Sequence, residues 1–179
     1  MTPIEQGLNL ILRAASFAAA KHRDQRRKDP EASPYINHPI ALAEVLSTLG
    51  GVSDPTVIAA ALLHDTIEDT DTDAAELIGM FGADVAGIVC EVTDDKVLAK
   101  AERKRLQVEH APRLTDGARL VKLADKICNL RDIVSGPPTD WTLARRREYF
   151  DWAKAVVDGI RQTNAGLELA FDEVYRLRP

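Results

Sequence analysis

The run Ile58-Ala59-Ala60-Ala61-Leu62-Leu63, followed at once by His64-Asp65-Thr66-Ile67-Glu68-Asp69, constrains this chain more than any other stretch. The apolar run buries one end of a helix and delivers an imidazole and three carboxylates at its C-terminal end. Residues four apart share a helix face, so the spacing predicts His64 above Glu68 and Asp65 above Asp69. Such a cluster at the edge of a core carries a large desolvation penalty unless something positive sits among its members. A divalent metal ion meets that need.

The rest of the chain reads as helix. Ile4 to about Arg23 forms a first helix, with Leu8, Ile11, Leu12, Ala15 and Ala19 as its inward stripe. A charged loop over 24–37 leads to a second helix, with Asn37 or His38 at its cap and Pro39 in its first turn. Gly50-Gly51 ends that helix, and Asp54-Pro55 opens the one that carries His64 and Asp65. Asp73 with Glu76 resembles a capping box for a short helix to Phe81, and Gly82 separates it from another over 83–92. A charged stretch over 94–109 is loop then helix, and Asp116-Gly117 opens a helix through Arg131. Gly136-Pro137-Pro138 breaks the chain before helices over 141–161 and 165–176. No segment sustains period-two alternation, so the expectation is an all-α fold of about eight to ten helices, one domain over 1–179.

Aromatics at 5% with abundant Ala and Leu favour helix over sheet. A net charge of −5 argues against a nucleic-acid partner held by a broad basic surface. No N-terminal stretch has the pattern of a signal peptide, and no apolar run approaches the roughly 20 residues that span a bilayer. A cytoplasmic protein with no membrane partner is expected. Cys90 and Cys128 lie in apolar helical patterns and read as buried free thiols. His22 and His110 read as solvated surface residues, and Asp71 and Asp73 as a polar turn.

Two further segments offer metal ligands. Tyr35-Ile36-Asn37-His38-Pro39 places an imidazole at a helix start, and Lys122-Leu123-Ala124-Asp125-Lys126 sets one acid on an apolar face without a partner. His38, His64, Asp65 and Asp125 together supply two nitrogens and two oxygens. A mixed set without thiolate suits Mn²⁺, Fe²⁺ or Mg²⁺ with waters in open positions, while Zn²⁺ favours a tighter four-ligand shell. Glu68 and Asp69, one turn beyond, could manage protons. Basic groups cluster nearby at Arg23, Arg26, Arg27 and Lys28, at Lys96, Lys100, Arg103, Lys104 and Arg105, and at Lys122, Lys126 and Arg131. Beside a metal they suggest a small polyanion such as a polyphosphorylated nucleotide.

The order His38, His64-Asp65, Asp125 resembles the HD-domain metal-dependent phosphohydrolases. Arg26-Arg27-Lys28-Asp29-Pro30, Pro34 to Pro39, Ala61 to Thr70, Glu91 to Lys96, Glu102 to Gln107, and Lys122 to Lys126 with Asn129 to Asp132 are similar to the RelA/SpoT hydrolase domain. The best match is to its small stand-alone form, the metazoan SpoT homologue. The likeness runs from about Ala15 to Thr163.

That resemblance implies hydrolysis of the 3′-diphosphate of guanosine 3′,5′-bis(diphosphate), ppGpp, and of its pentaphosphate relative, giving GDP or GTP plus pyrophosphate. It implies a Mn²⁺ ion on His38, His64, Asp65 and Asp125, a catalytic pair Glu68 and Asp69, and substrate contacts from Arg27, Lys28, Lys96 and Asn129. Tyr35 would line the base. The chain lacks the length for the synthetase and regulatory domains of long relatives, so it would degrade the alarmone without making it. Ala32 departs from the family pattern where a Gly is common, and Cys128 departs where an aromatic or histidine is common. The alternatives are NADPH 2′-phosphatase activity, another HD-class nucleotide hydrolase, or an alarmone-binding regulator that does not cleave. Intact Glu68-Asp69 argues against the last.

Overall fold

The segment Val57–Leu63 is buried along its whole length, and the fold is arranged around it. A helix that is apolar on every side has no face for solvent and belongs inside. The computed structural model describes residues 2–179. Ten α-helices follow in order: α1 Pro3–Lys21, α2 Asn37–Thr48, α3 Pro55–Leu63, α4 Thr66–Asp69, α5 Ala74–Phe81, α6 Ala83–Val92, α7 Lys100–His110, α8 Asp116–Ser135, α9 Leu143–Asp158 and α10 Ala165–Tyr175. A 3₁₀ turn, Ala111–Arg113, links α7 to α8. No strand forms among the described residues, only an isolated bridge between Arg26 and Pro34. The fold is all-α.

Helix α3 touches α1, α2, α6 and α8. It divides its side chains between two apolar clusters. Val57, Ile58 and Ala61 join Leu42, Leu46, Val121, Leu123 and Phe150, whereas Ala59, Ala60, Leu62 and Leu63 join Ala14, Ala18, Leu77 and Val89. Two cores are thereby joined through one short helix, whose exit carries the chemistry.

The inward face of α1 is only partly the predicted one: Ile11 and Ala15 pack on the core as expected. Ala14 and Ala18 are buried with Leu10, Ile11 and Phe17 beside them, while Leu8 and Leu12 are more than half exposed and Ala19 is exposed. Bulk misleads here, because small residues on both α1 and α3 permit close approach. The predicted cap of α2 also differs. Asn37 lies inside the helix, since the amides of Asn37 and His38 donate to Pro34 O (3.1 Å) and Tyr35 O (3.0 Å) in a preceding turn. No side-chain cap is needed there. Asp54 does cap α3, accepting from Thr56 N at 2.8 Å. Asp73 caps α5 by accepting from Glu76 N, although Glu76 turns its own carboxylate to Lys21. Cys128 is buried as expected, but Cys90 is exposed.

The largest departure is the end of α3. The expected continuous helix through Asp69 stops at Leu63, and Thr66–Asp69 forms a separate turn. Side chains take the carbonyls the helix would use: His64 Nδ1 donates to Ala61 O at 2.8 Å, and Thr66 Oγ1 donates to Leu63 O at 2.7 Å. His64 and Asp65 therefore lie in the joint; Asp69 still stands one turn beyond Asp65, its N–H on Asp65 O at 2.8 Å, whereas His64 and Glu68 do not share one continuous helix.

Candidate metal and acid site

Three parts of the fold meet at this joint. The start of α2 brings His38, the α3–α4 joint brings His64 and Asp65, and the middle of α8 brings Asp125. One ligand atom from each of His38, His64 and Asp65 lies within 4.8 Å of the other two. Asp125 stands outside that tight group but next to it, with Oδ1 3.3 Å from His38 Nε2. It is not partnerless as expected. Lys126 Nζ donates to Oδ2 at 3.0 Å, and Asn129 Nδ2 donates to Oδ1.

The donor set fits a cation. His64 Nδ1 is committed to Ala61 O, so the neutral ring presents a bare Nε2. That nitrogen is buried 2.9 Å from Asp65 Oδ2, yet the two atoms are not aligned for an N–H hydrogen bond. Tyr35 Oη donates to the same Asp65 oxygen and fixes the carboxylate from outside. Burial pushes the Tyr35 phenol upward, and the Asp65 charge adds to it, so this group stays protonated and remains a donor.

Without a metal, the charges settle among the protein groups. Burial alone would lower the His64 pKa, but the Asp65 charge outweighs it and holds the imidazole at about 9. Burial would raise Asp65, and His64 outweighs that and keeps the carboxyl below its usual range. Asp125 is likewise held well below the carboxylate range, burial being outweighed by Lys126 and His38.

Glu68 and Asp69 sit beside this centre with different surroundings. Glu68 Oε2 accepts from Asp94 N at 3.2 Å and its Oε1 lies 3.4 Å from Arg103 Nη1. Burial and then the Asp65 charge raise its pKa. Asp69 accepts from Gln25 Nε2 at 2.9 Å on Oδ2 and from Lys96 on Oδ1. A chamber of about 50 Å³, lined by His64, Asp65, Glu68, Gln107, Lys122 and Asp125, lies against the centre.

A cleft of about 380 Å³ opens beside it. Arg27, Lys28, Tyr35, Asp69 and Asn129 line it, so four of the five expected substrate contacts share one wall with an acid. Lys96, the fifth, is placed on Asp69 instead. Arg27 spans the cleft floor, donating to Asp132 and lying 5.7 Å from the Tyr35 ring centre.

The sequence reading passed over Trp141 and Tyr149, and it missed the burial of Lys122, Lys126 and His22. Trp141 and Tyr149 line the same cleft and also a neighbouring hollow with Lys100, Lys104 and Arg145. Nothing local in the sequence ties them to Arg27 and Tyr35 on the same cleft. Lys126 is buried with its ammonium 4.2 Å from the Trp152 ring centre, and Lys122 is buried with Nζ on Val92 O at 2.9 Å. The second basic cluster divides, with Arg103 on Glu68 and Arg105 on surface acids Glu102 and Glu109. His22, expected on the surface, is buried against Tyr35; His110 is exposed as expected. No described helix is long and apolar enough to cross a membrane.

Residues 14–150 match the family profile described as HD domain. The protein named guanosine-3′,5′-bis(diphosphate) 3′-pyrophosphohydrolase MESH1 from Xenopus tropicalis is 57% identical over 166 residues, 93% of this chain and 93% of its own length. The protein of that name from Homo sapiens is 56% identical over 168 residues, 94% of each chain. A solved structure described as a metazoan ortholog of SpoT that hydrolyzes ppGpp superposes with a TM-score of 0.92 at 52% identity, covering 94% of this chain and 95% of that one.

Proposed function

Because the chain belongs to the HD-domain family, we propose that it hydrolyses the 3′-diphosphate of ppGpp and pppGpp, releasing pyrophosphate and leaving GDP or GTP. The observation that carries this reading is the grouping of His38, His64 and Asp65 ligand atoms within 4.8 Å of one another, with Glu68 on the adjoining chamber and Asp69 on the cleft. HD-domain membership implies a divalent metal, and Mn²⁺ is the proposed ion. His38, His64 and Asp65 would hold it, with Asp125 beside them, its Oδ1 3.3 Å from His38 Nε2, as a fourth ligand. When bound, such an ion lowers the pKa of water and polarises a phosphoryl oxygen.

The protein's own groups supply the remainder. Water attacks the phosphorus bonded to the ribose 3′-oxygen, a new P–O bond forms, and the P–O3′ bond breaks. Glu68 and Asp69 take the water's proton and return one to the departing 3′-oxygen. Burial and the Asp65 charge make Glu68 hold a proton more readily than an ordinary carboxyl, which suits it to proton exchange. Arg27 and Lys28 offset phosphate charge, and Tyr35, Trp141 and Tyr149 offer apolar faces to the base. Asn129 bridges the cleft to Asp125. Helix α10, beyond the profile's limit, packs on α8 within the same core, so the whole chain is read as one domain.

Product analysis with pure protein, Mn²⁺ and ppGpp tests the reading. GDP and pyrophosphate are expected in equal amounts. Orthophosphate alone, or bound ppGpp left intact after long incubation, would refute it. NADPH and deoxynucleotides in parallel incubations rank the alternative substrates.

A further inference from the structure

His22, at the C-terminal end of α1, is 2% exposed and hydrogen-bonded toward the acid pair. Its Nδ1 lies 2.6 Å from Gln25 Oε1, and Gln25 Nε2 lies 2.9 Å from Asp69 Oδ2. Donor and acceptor chemistry fixes the direction of this chain. A carboxylate only accepts, so Asp69 turns the Gln25 amide with its NH₂ toward the acid. The amide oxygen then faces His22 and only accepts, so the imidazole proton must sit on Nδ1. Nε2 is left buried without a partner. The ring is clamped by Tyr35, at 4.8 Å between centroids, and the Gln25 backbone is pinned by bonds to His22 O and from Tyr35 N.

Building on the proposed hydrolysis, we infer that His22 is a positioning residue: through Gln25 it holds the Asp69 carboxylate in one orientation facing the cleft. The bond order is His22 Nδ1–H to Gln25 Oε1, then Gln25 Nε2–H to Asp69 Oδ2. The same ring backs Tyr35, which donates to Asp65. One buried imidazole thus supports an acid on one side and a candidate ligand on the other.

Two substitutions separate the hydrogen-bonded role from simple filling of space. His22→Phe keeps the ring against Tyr35 and deletes the donor. His22→Asn loses the ring but places an amide N–H where Nδ1 stands. With ppGpp and Mn²⁺, the Phe variant is expected to lose about 10- to 100-fold in kcat with KM within about 2-fold, and the Asn variant to recover most of that loss. A Phe variant with wild-type kcat, or an Asn variant no better than Phe, overturns the inference. Gln25→Leu cuts the chain from its other end and decides the matter if His22→Phe does not fold. ¹⁵N NMR of metal-free wild-type protein gives a readout independent of turnover. The neutral His22 ring must carry its proton on Nδ1, and a proton on Nε2 refutes the bond chain. Wild-type protein inactive on ppGpp would sink the proposed substrate and leave this NMR result to stand or fall alone.

Discussion

His64 Nε2 lies 2.9 Å from Asp65 Oδ2 with no hydrogen bond aligned between them. In the metal-free protein this closeness holds the imidazole at about pKa 9. A metal ligand must be the neutral ring, so ion and proton compete for the same nitrogen. The His64 pKa is raised in the fold, so its contribution to metal-free stability is full below its unfolded value near 6.5 and fades as pH rises through about 9. Metal binding has the opposite trend. Titration calorimetry at pH 7 in buffers of differing ionisation enthalpy is expected to show about one proton released per Mn²⁺. Apparent affinity should strengthen about tenfold per pH unit until about pH 9. Affinity flat between pH 6 and 8 would contradict this proton competition.

His64→Ala and Asp65→Ala each remove an atom from the converging group. Turnover of ppGpp with Mn²⁺ is expected to fall by about 10³-fold or more in either variant. Thermal unfolding supplies a check that does not depend on catalysis. Mn²⁺ at about 100 times its Kd should stabilise the wild-type protein by about 2.7 kcal/mol, and this gain should vanish in Asp65→Ala. A variant retaining the full metal-induced shift would remove Asp65 from the ligand set.

Much of this arrangement is legible in the chain because strong local signals coincide with burial. The apolar run before His64 announces a core helix, Asp54-Pro55 announces a cap that forms as expected, and Asp73 forms its half of the expected capping box. The metal and acid groups lie together because each is attached to such a segment. What escapes is decided between segments. The break at Leu63 depends on His64 and Thr66 taking carbonyls with their side chains, which helical periodicity does not encode. Burial of His22 and Lys126 depends on Tyr35 and Trp152 arriving from other parts of the chain. The α1 face depends on alanines, whose small apolar surface is outweighed by Leu8 and Leu12 in any reading by bulk.

Glu68 pairs stability against chemistry. Burial and the Asp65 charge raise its pKa, so its ionised form opposes folding and its neutral form does not. In metal-free protein, Glu68→Gln should therefore unfold at a higher temperature than wild type at pH 8. That advantage should disappear by about pH 4, where both side chains are neutral. The same variant with Mn²⁺ should lose about 10²- to 10⁴-fold in kcat, because an amide cannot take the water's proton. Equal melting at both pH values, or full turnover, would contradict the assigned environment.

Ala32 holds φ at +50°, a region that costs an L-residue about 1–2 kcal/mol. The loop enforces it. Asp29 accepts from the amides of Glu31 and Ser33 and from the Ser33 hydroxyl, Ala32 N donates to Asp29 O at 3.1 Å, and Arg27 N donates to Ser33 O at 2.9 Å. Those bonds fix the turn that sets Arg27 and Lys28 against the cleft, so the strain cannot relax by moving the backbone. Glycine adopts this φ freely but gives the unfolded chain more freedom, worth about 0.5–1 kcal/mol against it. The balance favours Ala32→Gly by up to about 1.5 kcal/mol and, at the middle of those ranges, by about 0.5–1 kcal/mol, or about 1–4 °C in melting temperature for a chain of this size. Ala32→Val, with a branched side chain at positive φ, should melt below wild type by at least as much. If the Gly variant melts at or below wild type, the left-handed turn at Ala32 is not the conformation in solution.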